Sequence, residues 1–376
     1  MSNKWWNMEA LNRLFAEKNA FRNDQQAGEL YLRSMQEAFA FHHDHCDAYR
    51  EICRRERMTP DDLRSEADLV RIPHIMVNAF KWHTLQSIPD DQIAREFTSS
   101  GTSGQKSHIL WDAPSMERQG LMRRRIMETL GLVDEEPVNY LIFAYAPEVS
   151  GSKGAAYAQR MYASFAPARH TAFAITGNDK GLPVFDRDRV IETLQQYERE
   201  KRPVRLIGFP AFLHEIMELM LERNIHLVFS PRSLVITAGG WKDREAKKIP
   251  PGQFREELAQ VFGLQGDRIR DVYGFVEHGV PYISCRRGHF HLPLYSRALI
   301  RRPGTLELLG YGQKGLLQLL SPYNLAQPSL SVLSTDYAAL HKNCGCGIET
   351  DYIELLGRAG VAKHQGCAMT AAELLK

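Results

Sequence analysis

The chain has almost no charge of one sign to spare. Forty-seven Lys and Arg against 45 Asp and Glu leave a formal net charge of +2 over 376 residues. Without a basic surplus there is no electrostatic footprint for nucleic acid, and none is expected as a partner. No apolar run approaches the roughly 18–20 residues needed to span a bilayer, so no membrane span is expected. The opening MSNKWWNMEALNRLF lacks an apolar core followed by a small-residue cleavage site, which excludes a secretory signal and sets the expectation of a cytoplasmic protein. Cysteine is scarce too. Six (Cys46, Cys53, Cys285, Cys344, Cys346 and Cys367) in a chain of this length do not make a disulfide framework; in a cytoplasmic setting such residues read as ligands or nucleophiles. Internal repeats and low-complexity segments are missing. The length suffices for a large core and more than one lobe.

What is present is concentrated first in Phe97–Ser107, FTSSGTSGQKS. Thr98, Ser99, Ser100, Gly101, Thr102, Ser103 and Gly104 are all hydroxyl-bearing or glycine, and Lys106 follows. Both flanks, Ile93–Phe97 and Ser107–Trp111, read as strands, which predicts a hairpin with this loop at its tip. Small residues leave backbone N–H groups and hydroxyls able to wrap an anion. A nucleotide-binding P-loop needs glycine directly before the lysine and a helix after it. Gln105 and a strand-like continuation exclude that motif.

Residues 5–70 carry apolar positions at roughly helical spacing (Leu11, Leu14, Phe15, then Leu30, Leu32, Met35, Phe39, Phe41), ending near Ile72-Pro73. His42, His45 and Cys46 fall on one helix face there, as a metal site or as a polar surface. Beyond Glu96 the texture alternates. Strands are expected at Val138–Ala144, Thr171–Ile175, Val204–Ile207, Ser233–Thr237 and Arg268–Val272, with helices near 114–130, 152–164, 187–200, 210–223 and 252–262. Such alternation predicts an α/β fold with mixed, mostly parallel sheets flanked by helices. The expected organisation is a helical N-terminal region over 1–95, a core over 96–356 with a β-rich lobe from about 280, and a hinge and short tail over 357–376. Ligands then belong at the carboxyl ends of the strands. Phe143, Tyr145, Phe209, Phe212 and Ala238 lie there as candidates for an apolar acid pocket, or as ordinary core.

Three further stretches follow strands. Gly239-Gly240-Trp241 comes after Ser233–Thr237, where a Gly-Gly step lets a flat ring approach the backbone, or simply makes a tight turn. Tyr273-Gly274-Phe275-Val276-Glu277 comes after Arg268–Val272, and its carboxylate suits Mg²⁺, which prefers oxygen ligands. Leu333-Ser334-Thr335-Asp336 and then Gly357-Arg358, Lys363 and Gly366 complete the series. Separately, Cys285, His289, His291, Cys344 and Cys346 supply three thiols and a histidine in two short knuckles, the ligand set of a structural Zn²⁺. His291 is the favoured histidine, with His289 as substitute. The Cys-x-Cys spacing is tighter than usual, and buried free thiols are the alternative.

In this order the stretches resemble the adenylate-forming enzymes: a Ser/Thr/Gly-rich phosphate loop ending in lysine, a Gly-Gly adenine step, Tyr-Gly-x-Thr-Glu, Thr-Gly-Asp and a hinge arginine. The resemblance implies ATP and Mg²⁺ as cofactors. It places Tyr273 on adenine, Glu277 at Mg²⁺, Asp336 on the ribose and Arg358 at ribose or phosphate. Val276 departs from the usual threonine, Ser334-Thr335 stand for Thr-Gly, and the hinge is one residue short and lacks its aspartates. The chain also stops ten residues after Gly366, so most of the family's swinging C-terminal domain is expected to be missing. With the helical N-terminal region and Asn78-Ala79-Phe80-Lys81, this is similar to the acyl-protein synthetase (LuxE) family. That resemblance implies activation of a carboxylic, fatty acid to acyl-AMP, then transfer to a cysteine near the C-terminus. Here that is Cys367, with His364 and Lys363 beside it to lower its pKa or act as base. It also implies a protein partner, an acyl reductase or other acyl acceptor. Related phenylacetate-CoA-ligase-like proteins share the Cys/His pattern. Alternatives that stay open are a stand-alone adenylating enzyme for an aryl or other small acid, and a non-catalytic nucleotide-binding subunit. The oligomeric state, homo-oligomer or not, is unread.

Overall fold

The computed structural model describes residues 8–98, 107–150, 162–239, 241 and 248–358. The chain divides into two compact units. The first comprises Met1–Thr129, Gly274–Tyr282 and His289–Lys376; the second comprises Leu130–Tyr273 and Ile283–Gly288.

The second unit is built on parallel strands. Ile269–Tyr273, Leu234–Ala238, Val204–Gly208, Val138–Tyr145 and Ala168–Gly177 lie side by side in that order, all parallel, and Pro183–Phe185 closes one edge antiparallel. Central parallel strands are covered on both faces, so they are apolar throughout rather than alternating. Val138–Ala144 accordingly is buried at every position. Three helices supply the cover. Arg187–Arg199 starts at Asp186, whose carboxylate accepts from the Arg189 amide, while Pro210–Glu222 and Pro251–Phe262 both start on proline. Leu206, Val235, Leu213, Met217, Leu258 and Phe262 meet in the core between them. Each expected strand is present, with no end shifted by more than three residues. The helix expected at 152–164 falls mostly outside the described residues.

Gly208 is required where it stands. Its φ is +143°, and a Cβ there would overlap the Phe143 carbonyl oxygen and lie 2.7 Å from its carbon. The strand end can therefore approach its neighbour only without a side chain.

The first unit holds the helices Glu9–Ala16, Gln25–His45, Asp47–Arg55 and Ala113–Thr129. After Arg55 the helical pattern gives way to short 3₁₀ turns, two of them closed by reciprocal caps, Thr59 with Asp62 and Ser65 with Asp68. Its sheet is antiparallel, in the order Phe290–His291, Tyr352–Arg358, Ser331–His341, Gly315–Leu320, Arg297–Arg301, Leu308–Leu309. Ile75–Met76 pairs parallel to Val332 and Leu333 beside it. A separate two-stranded hairpin pairs Arg95–Thr98 with His108–Trp111. Among the described residues no helix is long and apolar enough to cross a membrane.

Candidate active site

The expected hairpin flanking the Ser/Gly-rich stretch forms, with Arg95 opposite Trp111 and Thr98 opposite His108. Ser99, Ser100, Gly101, Thr102, Ser103, Gly104 and Lys106 lie outside the described residues. The base of the hairpin is firmly held. The Leu110 amide donates to Gln327 Oε1 at 2.6 Å, and Asn324 Nδ2 donates to the Leu110 carbonyl at 3.1 Å. The Phe97 and Trp111 rings lie 4.5 Å apart, and Trp111 meets Tyr323 edge-on at 6.0 Å.

Tyr323 also lies against Gly279, at the end of the turn that carries Glu277. The amides of His278 and Gly279 both donate to the Phe275 carbonyl, at 3.2 and 2.9 Å, so Val276–His278 is a tight turn rather than the start of a helix. Gly279 has φ +76°, and a Cβ there would overlap the Tyr323 phenol oxygen. Tyr323 is buried, and its carbonyl accepts from Arg118 Nη1 at 3.0 Å. His278 stacks on Tyr282 and its Nε2 shares a hydrogen bond with the Tyr282 hydroxyl at 2.8 Å, which in turn meets Ser296 Oγ at 2.5 Å. Burial holds His278 neutral, with its pKa lowered to about 3. Glu277 is thus a residue only 5% exposed, on a turn whose shape neighbouring side chains fix. Tyr323, His278 and Gly279 were not among the residues singled out by sequence. The Glu-His-Gly run was visible; its contact with Tyr323 was not.

Asp336 and Arg358 face each other across neighbouring strands, and Arg358 Nε donates to Asp336 Oδ1 at 2.9 Å. Asp336 is mostly covered, while the Arg358 side chain is 65% exposed, so the pair contributes little to stability and can be exchanged for a ligand at small cost. The Ser334 hydroxyl accepts from the Asp336 amide at 3.1 Å, which takes up the donor at this position. Lys363, His364, Gly366 and Cys367 lie outside the described residues, as does Gly240.

In the second unit Phe143, Tyr145, Phe209, Phe212, Ala238, Gly239 and Tyr273 gather at or just past the carboxyl ends of parallel strands. The ring against Gly239 is that of Phe209: a Cβ at Gly239, whose φ is +88°, would sit 2.7 Å from Phe209 Cε1. Phe209 packs on Phe212, and Phe212 on Phe185. Trp241 turns into the core against His214 and Phe254 and is 7% exposed. Gly274 is counted with the first unit.

The described cysteines separate into two kinds. Cys46 and Cys53 are buried, and burial pushes the Cys53 thiol up to about 12. His42 uses Nδ1 on the Ser87 hydroxyl at 2.8 Å and Nε2 on the Asn324 carbonyl at 3.0 Å, so neither nitrogen is left for a metal. The other kind is a group able to hold a metal ion: the ligand atoms of Cys285, His291, Cys344 and Cys346 all lie within 4.8 Å of one another. His291 Nε2 is 3.2 Å from Cys346 Sγ, while its Nδ1 faces the Thr350 carbonyl at 2.9 Å. A carbonyl only accepts, so the proton sits on Nδ1 and Nε2 offers its lone pair, the tautomer a metal needs.

A profile described as "Acyl-protein synthetase, LuxE" matches residues 12–376. The chain is 27% identical over 372 residues to a long-chain-fatty-acid–luciferin-component ligase of Aliivibrio fischeri, covering 94% of this chain and 90% of that one. It is 25% identical over 362 residues to the Vibrio harveyi protein of the same name, covering 93% and 89%. In fold it is similar to 2-hydroxyisobutyryl-CoA ligase bound to 2-HIB-AMP and CoA, with a TM-score of 0.65 at 16% identity over 90% of this chain and 69% of that one. The postadenylation form of that ligase also gives 0.65, at 15% identity. The fold is therefore that of the adenylate-forming ligases, and the chain belongs to the acyl-protein synthetase LuxE family.

Proposed function

We propose that this ligase activates a long-chain fatty acid with ATP and carries the acyl group on Cys367 as a thioester. The observation that carries the reading is Tyr323, one buried side chain that touches both the base of the phosphate hairpin through Trp111 and the Glu277 turn through Gly279. Two stretches far apart in sequence are thereby built into one rigid support, which is what positioning catalysis requires. The acid's carboxylate attacks the α-phosphorus of ATP; a P–O bond forms, and the bond to the leaving pyrophosphate breaks. Thr98–Gly104 and Lys106 hold the departing phosphates, Asp336 takes the ribose hydroxyls, and Arg358 swings from its exposed ion pair toward the nucleotide. Tyr273, Gly239 and Gly240 hold the adenine. Phe143, Tyr145, Phe209, Phe212 and Ala238 line the way to the acyl chain. Glu277 is the carboxylate that would hold Mg²⁺, whose charge offsets that of the phosphates. The Cys367 thiolate then attacks the acyl carbon, AMP leaves, and His364 accepts the thiol proton. An acyl reductase or similar acceptor protein takes the acyl group onward.

The group Cys285, His291, Cys344 and Cys346 would hold a structural Zn²⁺. Three soft thiolates and one imidazole are a closed tetrahedral donor set with no open position, which suits structure rather than catalysis.

Acid-dependent ATP–pyrophosphate exchange tests the first step. Exchange with long-chain fatty acids that falls at least ~100-fold in Glu277→Gln and Asp336→Asn is expected. Exchange driven only by aryl or short acids would assign a different substrate class.

A further inference from the structure

Resting on the structural-zinc reading above, we infer that His289 is not a ligand of that centre but the hydrogen-bond donor to its Cys344 sulfur. Both histidines of the Cys-Arg-Arg-Gly-His-Phe-His run reach a cysteine, and the two contacts differ in kind. His291 is 1% exposed and belongs to the group of mutually close ligand atoms; His289 is half-buried and stands outside it. Adjacent side chains on a strand point to opposite faces, but these two are separated by Phe290 and so share one. The Thr350 carbonyl leaves His291 Nε2 bare, whereas no such carbonyl contact is needed by His289, whose Nδ1 lies 3.1 Å from Cys344 Sγ. The His289 ring is set by stacking on Tyr352 at 4.4 Å and 14°. Tyr352 is also stacked with His341, at 5.3 Å, and His341 is tied to Glu354 at 2.8 Å.

Charge explains the need. Three thiolates and a neutral imidazole around a divalent ion leave one net negative charge on the sulfurs. Each sulfur has an N–H directed at it: Arg287 N at 3.4 Å from Cys285 Sγ, Ile348 N at 3.4 Å from Cys346 Sγ, and His289 Nδ1 at Cys344. Two donors come from the backbone two residues beyond the cysteine, and the third from a side chain. Outer donors of this kind hold the ligand sulfur and typically change metal affinity by about 10–100-fold.

The test uses the purified full chain loaded with Co²⁺, read by its sulfur-to-cobalt absorption, its d–d bands and competition with a chelator. Wild type and His289→Ala should both bind one ion per chain with the same tetrahedral spectrum, while His289→Ala yields it to chelator about 10–100-fold more readily. His289→Gln, which keeps an N–H, should recover part of that loss, and His291→Ala should lose the spectrum. A changed spectrum or stoichiometry in His289→Ala would make it a ligand, and wild-type retention in His289→Ala would make it a bystander; either overturns the inference. A wild-type chain with no sulfur-to-cobalt band would instead overturn the zinc reading, and this one with it.

Discussion

Replacing Gly279 by alanine should be among the most damaging single-methyl changes in the molecule. Two costs add. At φ +76° an alanine is held in the left-handed region, which costs on the order of 1–3 kcal/mol. The new Cβ would also overlap the Tyr323 phenol oxygen and lie 2.5 Å from Cζ. Tyr323 is 1% exposed, edge-on to Trp111 and held at its carbonyl by Arg118, so relief requires the backbone to move, at about 1–3 kcal/mol more. The total is roughly 2–6 kcal/mol. Gly304→Ala is the control: its φ is +90°, and a Cβ there meets nothing within 4 Å, so it carries the strain without the clash. Thermal unfolding of the full chain should show Gly279→Ala losing clearly more than Gly304→Ala, with part of the difference returned in Gly279→Ala/Tyr323→Leu. Below its unfolding temperature the Gly279→Ala protein should also lose about 100-fold in pyrophosphate exchange, because the Glu277 turn is displaced. Equal melting temperatures for the two alanine variants would refute the reasoning.

Acidification should destabilise the fold through two buried neutral histidines, offset in part by Asp271, whose carboxyl burial raises to about 6 and which therefore takes up its proton in the folded chain first. His42 and His278 are buried neutral with pKa values lowered to about 3, whereas an unfolded histidine titrates near 6.5. The unfolded chain therefore takes up the protons first, and stability falls as pH drops below about 6.5, by roughly 2 kcal/mol per histidine at pH 5. Urea unfolding between pH 7 and 5 should show a shallower slope in His278→Gln; an unchanged slope would remove His278 from the account. Gly239→Ala should push Phe209 aside, destabilise the second unit by about 1–3 kcal/mol and raise the KM for the acid, with Phe209→Leu restoring stability. Wild-type stability and KM in Gly239→Ala would mean that Phe209 does not shape the pocket.

The parallel sheet was legible because its strands must be apolar on both faces, and Val138–Ala144 has no other reading in this context. The closeness of Cys285, His291, Cys344 and Cys346 was legible from residue types and spacing, and the structure adds the contact of His291 Nδ1 with the Thr350 carbonyl. Tyr323 was not legible. It sits in Ser321–Leu330, a segment buried throughout yet neither helical nor extended in period, whose polar side chains meet backbone groups of distant strands. A run of this kind has no hydrophobic rhythm to read; its partners exist only after folding. His42 misled for the same reason. On a helical wheel it joins His45 and Cys46, but burial against Ser87 and Asn324 takes both its nitrogens. The closeness of the Phe209 ring to Gly239 was not legible either, because it joins the ends of two strands that meet only in the folded sheet.

Intact mass tests the central proposal most directly. The purified chain, incubated with Mg·ATP and a series of fatty and aryl acids, should gain the mass of one long-chain acyl group. Hydroxylamine should remove that mass, and Cys367→Ser should never acquire it. Pyrophosphate release with no adduct on the wild-type chain, or an adduct that persists in Cys367→Ser, would contradict the account.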